Sequence, residues 1–156
     1  MNVKQISIFL ENKPGSLYDI AETLAAQDIN IRALTVAETG DMALTRIIVD
    51  NVLWTISILK NEGYSPNFSD VIVAKISNVP GGLSRILEVL KESGINIEHT
   101  YSLINRKLSK DNVNSIIGFS VADAYMVFEV SDVSKASDVL KRSGIKIIQQ
   151  EELSAL

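Results

Sequence analysis

Asn12-Lys13-Pro14-Gly15-Ser16-Leu17 returns 66 residues later as Asn78-Val79-Pro80-Gly81-Gly82-Leu83. Carrying that offset from Asn12 to Ile31 aligns Asn12, Pro14, Gly15, Leu17, Ile20, Glu22, Leu24, Ile29, Asn30 and Ile31 with Asn78, Pro80, Gly81, Leu83, Ile86, Glu88, Leu90, Ile95, Asn96 and Ile97. Ten identities in 20 positions exceed what shared helical periodicity would produce. The chain is an internal repeat. Each copy reads as an apolar strand, a turn marked by Pro and Gly, an amphipathic helix, and a second strand opening with Ile-Asn-Ile.

Outward from the first turn, Ile6, Ile8 and Leu10 alternate with Gln5, Ser7 and Phe9, which predicts a strand with one face on a core. Ser16 stands three residues before Asp19, an N-cap signature, and Leu17, Ile20, Ala21 and Leu24 fall at helical spacing. Ile29 to Glu38 reads as the second strand, Thr39-Gly40-Asp41 as a hairpin turn, and Ala43 to Val49 as the third strand. Asp50 or Asn51 caps a second helix with Val52, Ile56 and Leu59 inward, and Tyr64 to Phe68 completes the copy. The second copy follows the same order. Strands are expected at Val71 to Ser77, Ile95 to Ile104, Ala124 to Val130 and Ile145 to Gln150, with helices at Leu83 to Lys91 and Asp132 to Lys141. Three helices close with Lys and then Gly, at Lys60 and Gly63, Lys91 and Gly94, and Lys141 and Gly144, whereas the first closes at Asp28.

Each copy is therefore βαββαβ. Right-handed crossovers turn that order into an α+β, ferredoxin-like unit: a four-stranded antiparallel sheet with both helices on one face. No linker separates the copies, so the expected domains are 1–69 and 70–156. Units this small bury little surface alone, and the two are expected to pack as a pseudo-dimer. They differ in one place. From Asn105 to Asp123 the second copy inserts a stretch carrying Arg106, Lys107, Lys110, Ile116, Ile117 and Phe119, read either as an extended hairpin or loop, or as a lid or oligomer contact.

Composition excludes several kinds of chemistry. With 46% hydrophobic and 22% charged residues the 156-residue chain has the profile of a soluble globular protein, and no apolar run approaches the ~20 residues that span a bilayer. A cytoplasmic location is expected. No cysteine and a single histidine remove thiol catalysis, disulfides and ordinary zinc sites. The net charge is −4, with 5 basic and 8 acidic residues in 1–69, and 10 and 11 in 70–156. Neither half has the basic excess of a nucleic-acid or anionic-membrane binder. No nucleophile elbow, P-loop or dinucleotide fingerprint occurs, and His99, between Glu98 and Thr100 on a strand, reads as structural. The expectation is a protein that is not an enzyme and needs no cofactor or metal.

Asn12-x-Pro14-Gly15-x-Leu17 with Ile29-Asn30-Ile31, and Asn78-x-Pro80-Gly81-x-Leu83 with Ile95-Asn96-Ile97, resemble the ACT domain family in tandem over nearly the whole chain. That resemblance implies a non-catalytic regulatory module that binds a free amino acid and modulates an enzyme of amino-acid metabolism, often as a homodimer. The first copy also resembles the start of acetolactate synthase regulatory subunits, through Leu10-Glu11-Asn12 and Leu34-Thr35-Val36-Ala37. Those proteins have no second Pro-Gly motif. Serine-sensing members carry a polar group two residues before the Asn, where this chain has Leu10 and Ile76, which argues against serine.

The residues supply a physical rationale for such a ligand. A first helical turn presents unpaired N–H groups at the positive end of a dipole, so a carboxylate can dock there without an Arg. Gly15 and Gly81 admit close backbone approach, and an Asn amide offers an acceptor for an ammonium and a donor for a carboxylate. The candidate ligand-binding residues are Asn12, Lys13, Pro14, Gly15, Ser16, Leu17, Asn30 and Ile31, with Asn78, Val79, Pro80, Gly81, Gly82, Leu83, Asn96 and Ile97. A helix of ~12 residues separates Asn12 from Asn30, and Asn78 from Asn96, by ~18 Å, so one small ligand cannot touch both members of a pair. Antiparallel packing of the copies would instead form composite sites from Asn12 with Asn96 and Asn78 with Asn30. The alternatives are an assembly module with vestigial sites, in which Asn12 and Asn78 brace turns and Asn30 and Asn96 cap strands, or a regulatory subunit of an acetolactate-synthase-like enzyme.

Overall fold

The computed structural model describes residues 1–104 and 124–156. The inserted stretch expected to form a hairpin, loop, lid or oligomer contact lies outside the described residues. The chain divides into two compact units, Lys4–Asp70 and Val71–Leu156, the latter including Met1–Val3.

In the N-terminal unit, β1 (Val3–Glu11) leads into α1 (Ser16–Ala25), followed by β2 (Ile31–Thr39), β3 (Met42–Val49) and α2 (Val52–Asn61). β3 lies antiparallel between β1 and β2, with Ile6 opposite Ile47, Ile8 opposite Thr45 and Leu10 opposite Ala43. Those β1 residues share a core with Ile20 and Leu24 of α1 and Ile58 and Leu59 of α2. A fully buried Leu such as Leu24 contributes about 1.5–3 kcal/mol from burial. α2 turns Thr55, Ile58 and Leu59 fully inward, while Val52 and Ile56, expected inside, are half-buried against the same core.

Two separate strands, Tyr64 to Phe68 and Val71 to Ser77, were expected; they are one strand, β4 (Asn67–Ile76), which crosses the unit boundary. Pro66 precedes it and no Gly or Pro interrupts it, so nothing breaks the extended backbone. Its first residues lie beside the start of β1, where Gln5 Nε2 donates to Ser69 Oγ at 3.5 Å and Lys4 pairs with Asp70.

The C-terminal unit continues with α3 (Gly82–Glu92), β5 (Ile97–Ser102), β6 (Ala124–Val130), α4 (Val133–Arg142) and β7 (Ile147–Ile148). Its antiparallel order is β7-β4-β6-β5, the ferredoxin-like arrangement. Ile72, Ala74, Ile86, Leu90 and Ile95 occupy its core at the repeat positions of Ile6, Ile8, Ile20, Leu24 and Ile29. β7 is shorter than the expected Ile145 to Gln150. Gln149 N–H donates to Glu152 Oε2 at 2.8 Å in a capping box, and Gln150–Ala155 winds into a 3-10 helix anchored by buried Leu153.

Helix ends follow local chemistry, with one correction. Asn51 caps α2 by accepting from Trp54 N–H at 3.2 Å, and Asp132 caps α4 by accepting from Lys135 N–H at 2.9 Å. Asp28 takes φ 56, the one positive φ of a non-glycine residue among those described. Ser16, expected as an N-cap, is instead the first helical residue. Gly15 holds the cap position at φ 97 and no side chain caps the helix.

Candidate functional site

The two Pro-Gly turns have the same backbone. Gly15 and Gly81 are both left-handed, at φ 97 and 87, conformations that a side chain would strain. Their carbonyls accept the first helical bonds, from Asp19 N–H at 2.9 Å and from Arg85 N–H at 3.3 Å. Ser16 N–H and Gly82 N–H turn back to the carbonyls of Lys13 and Val79, at 3.4 and 2.9 Å. The amides of Leu17 and Tyr18, and of Leu83 and Ser84, come next and have no intrahelical acceptor by position.

Side chains make the two turns different. In the N-terminal unit Asn12 N–H donates to the Asp41 carbonyl at 2.9 Å and Asn12 Nδ2 to the Gly40 carbonyl at 3.1 Å, tying the turn to the β2–β3 hairpin. Lys13 pairs with Glu11. The hydrogen bond to Glu11, and then its charge, raise the Lys13 pKa above the usual 10.5. The cavities here are small. One of about 100 Å³ is lined by Leu10, Glu11, Asn12, Lys13, Ser16, Leu17, Val36, Ala43 and Thr45, and one of about 140 Å³ lies by Asp19 and Tyr64. Thr45 is fully buried, and its Oγ1 has no hydrogen-bond partner among the described residues.

The C-terminal turn opens onto a cavity of about 420 Å³ lined by Lys75, Ile76, Ser77, Val79, Pro80, Gly81, Gly82, Arg85, Ile86, Gly144, Ile145 and Lys146. Three of those residues are cations and none is an acid. Lys75 is half-buried near the end of β4, and its N–H donates to the Lys146 carbonyl at 2.9 Å. Arg85 Nη2 donates to the Ser143 carbonyl at 3.2 Å, joining α3 to the end of α4. Lys146 Nζ stands 3.8 Å from Glu152 Oε1.

The candidate residues thus separate. Val79, Pro80, Gly81 and Gly82 meet at the larger cavity, and Asn12, Lys13, Ser16 and Leu17 at a smaller one. Asn78, Pro14 and Gly15 are exposed in the turns and line neither of these two cavities. Asn30 and Asn96 are exposed beyond the far ends of α1 and α3, and Asn96 N–H donates to Ser131 Oγ at 3.1 Å. Ile31, Ile97 and Leu83 pack against the cores of their units. Lys75, Arg85 and Lys146 were not among the candidates. The signal lay in the repeat itself, because their counterparts are Phe9, Asp19 and, counted from Gly63 and Gly144, Ser65.

Among the described residues no cluster of His, Asp or Glu could hold a metal ion, and no helix is long and apolar enough to cross a membrane.

Comparison with known proteins gives the same architecture. Protein BT0572 from Bacteroides thetaiotaomicron is 33% identical, with a TM-score of 0.84 over 100% of this chain and 98% of that one. The regulatory subunits of aspartate kinase from Thermus thermophilus and Thermus flavus share the fold, at 13% and 14% identity and TM-scores of 0.63 and 0.61. They match over 92% of this chain and 93% and 94% of theirs. No curated protein matches significantly. The profile of the ACT domain pair matches residues 1–156, and the chain belongs to that family.

Proposed function

We propose that this protein is a non-catalytic regulatory module that binds a free amino acid at its Pro-Gly turns and modulates a partner enzyme of amino-acid metabolism, as a cytoplasmic homodimer. The observation that carries the reading is the cavity of about 420 Å³ at the start of α3, lined by Val79, Pro80, the left-handed Gly81 and Gly82 of the Pro-Gly turn. The amides would hold the carboxylate, and the cavity would take the rest of the ligand. Regulation follows if the ligand binds one arrangement of the protein better than another, since only differential affinity shifts an equilibrium. The fold shared with regulatory subunits of aspartate kinase supports a role of this kind.

Thermal unfolding against each common amino acid at millimolar concentration tests the reading. A ligand at ~100 times its dissociation constant stabilises by about 2.7 kcal/mol, a shift of roughly 5–10 °C for a chain of this size. A shift with one chemical group of amino acids supports a sensor, and no shift with any of them overturns it. A second reading, an assembly module, is favoured at the N-terminal turn by the engagement of Asn12 Nδ2 with the Gly40 carbonyl. It predicts an unchanged oligomeric state and melting point with every amino acid.

A further inference from the structure

We propose that Thr45 is the buried polar contact of a ligand site at the N-terminal Pro-Gly turn, and that this site takes an amino acid with a small, uncharged side chain. The inference rests on the sensor reading for the class of ligand, and the N-terminal unit's own residues supply the site.

Thr45 stands on β3 opposite Ile8 of β1 and Val36 of β2. That register puts its side chain on the sheet face that meets α1, where Ile8 and Leu10 share a core with Ile20 and Leu24. It lines the cavity of about 100 Å³ whose wall includes Ser16 and Leu17, the first residues of α1. The residue is 0% exposed, and Oγ1 has no hydrogen-bond partner among the described residues. Valine would fill the same space without the desolvation cost of a hydroxyl, so the fold alone gains nothing from the oxygen. The same cavity reaches Leu17, whose amide has no intrahelical acceptor by position. A carboxylate placed there meets one donor from the helix and another from Thr45 Oγ1.

The C-terminal copy has an apolar side chain at this place. Its register sets Met126 opposite Ala74, the repeat position of Ile8, and Met126 packs against the core of its unit. Size and charge set the ligand class. An apolar cavity of about 150 Å³ encloses benzene, so one of about 100 Å³ takes a smaller group. The adjoining cavity of about 140 Å³ is lined by Glu11, Lys13 and Asp19, two acids and one base, which suits an ammonium and opposes a second carboxylate. The bond from Asn12 Nδ2 to the Gly40 carbonyl fixes the turn against its hairpin and leaves the carboxamide oxygen as a further acceptor. Contact with Thr45 Oγ1 requires a small shift of the wall, whose most exposed apolar members are Leu17 at 37% and Val36 at 47%.

Amide NMR titration of the full chain with glycine, alanine, leucine and aspartate tests the site. The expected result is a saturable shift of the Leu17, Tyr18 and Thr45 amides with glycine or alanine, and binding of leucine and aspartate there at least about tenfold weaker. Thr45→Val, which keeps the shape of the side chain, should weaken the response at these amides by roughly three- to tenfold, and Thr45→Ser should hold it within about twofold. Neither variant should alter any response at Leu83 and Ser84 of the C-terminal turn. A response confined to Leu83 and Ser84 overturns the N-terminal site and leaves the sensor intact. A response at Leu17 and Tyr18 that Thr45→Val leaves unchanged overturns the role of the hydroxyl. No response to any of the four probes overturns this site, and the sensor reading then rests on the melting-point panel of all common amino acids.

Discussion

Gly82 packs against Ser77 so closely that a Cβ added at Gly82 would lie 1.9 Å from the Ser77 carbonyl oxygen. The N-terminal copy places Ser16 at the matching position, so the approach is particular to the C-terminal turn. Gly82→Ala must push the backbone apart there. The expected loss is about 1–3 kcal/mol, read as a melting point lower by roughly 3–9 °C. Ser16→Ala should move the melting point by less than about 1 °C, because Ser16 makes no capping bond.

The capping residues give the opposite contrast. Asn51→Ala and Asp132→Ala each remove an acceptor for a helix amide, and chemical denaturation should show about 1 kcal/mol lost for each. Equal losses at Ser16, Asn51 and Asp132 would contradict the assignment of Gly15 as the α1 cap.

Arg32 has a nearly buried side chain and grips Asp50 with two bonds, Nε to Oδ1 at 2.8 Å and Nη2 to Oδ2 at 3.2 Å. Asp50→Ala should cost about 2–4 kcal/mol by leaving a desolvated guanidinium without that carboxylate, and Arg32→Met with Asp50→Ala should recover much of the loss. A double-mutant cycle in urea measures the difference.

Thr45→Val replaces a buried hydroxyl that has no partner among the described residues with a methyl of similar size. Stability should hold or rise by up to about 1 kcal/mol, since the desolvation cost of the hydroxyl disappears. A loss above about 1 kcal/mol would show that the hydroxyl makes an unrecognised bond.

Lys13 should titrate above its usual 10.5 because it donates to Glu11, and Glu11→Gln should bring it down, as followed by NMR of the lysine side chain. With the folded pKa raised, the pair's contribution is present below the ordinary lysine value and is lost as pH rises through the folded one. Lys13 itself stays charged well below that range, so its titration gives no pH dependence to binding near neutral pH.

The sequence by itself determined what depends on residues near one another. The alternation in β1, the helical spacing of Ile20 and Leu24, the Asp28 and glycine helix ends and the 66-residue repeat all express local backbone preference and periodicity, and ferredoxin-like topology follows from their order. Tertiary structure decided what depends on distant segments. It fused the two expected strands into β4, used the Asn12 side chain to hold a hairpin 28 residues away, and gathered Lys75, Arg85 and Lys146 around one cavity. The two Pro-Gly motifs are alike as strings of residues. Their surroundings come from strands and helices far along the chain, and those surroundings tie one turn to a hairpin and leave the other beside a larger cavity.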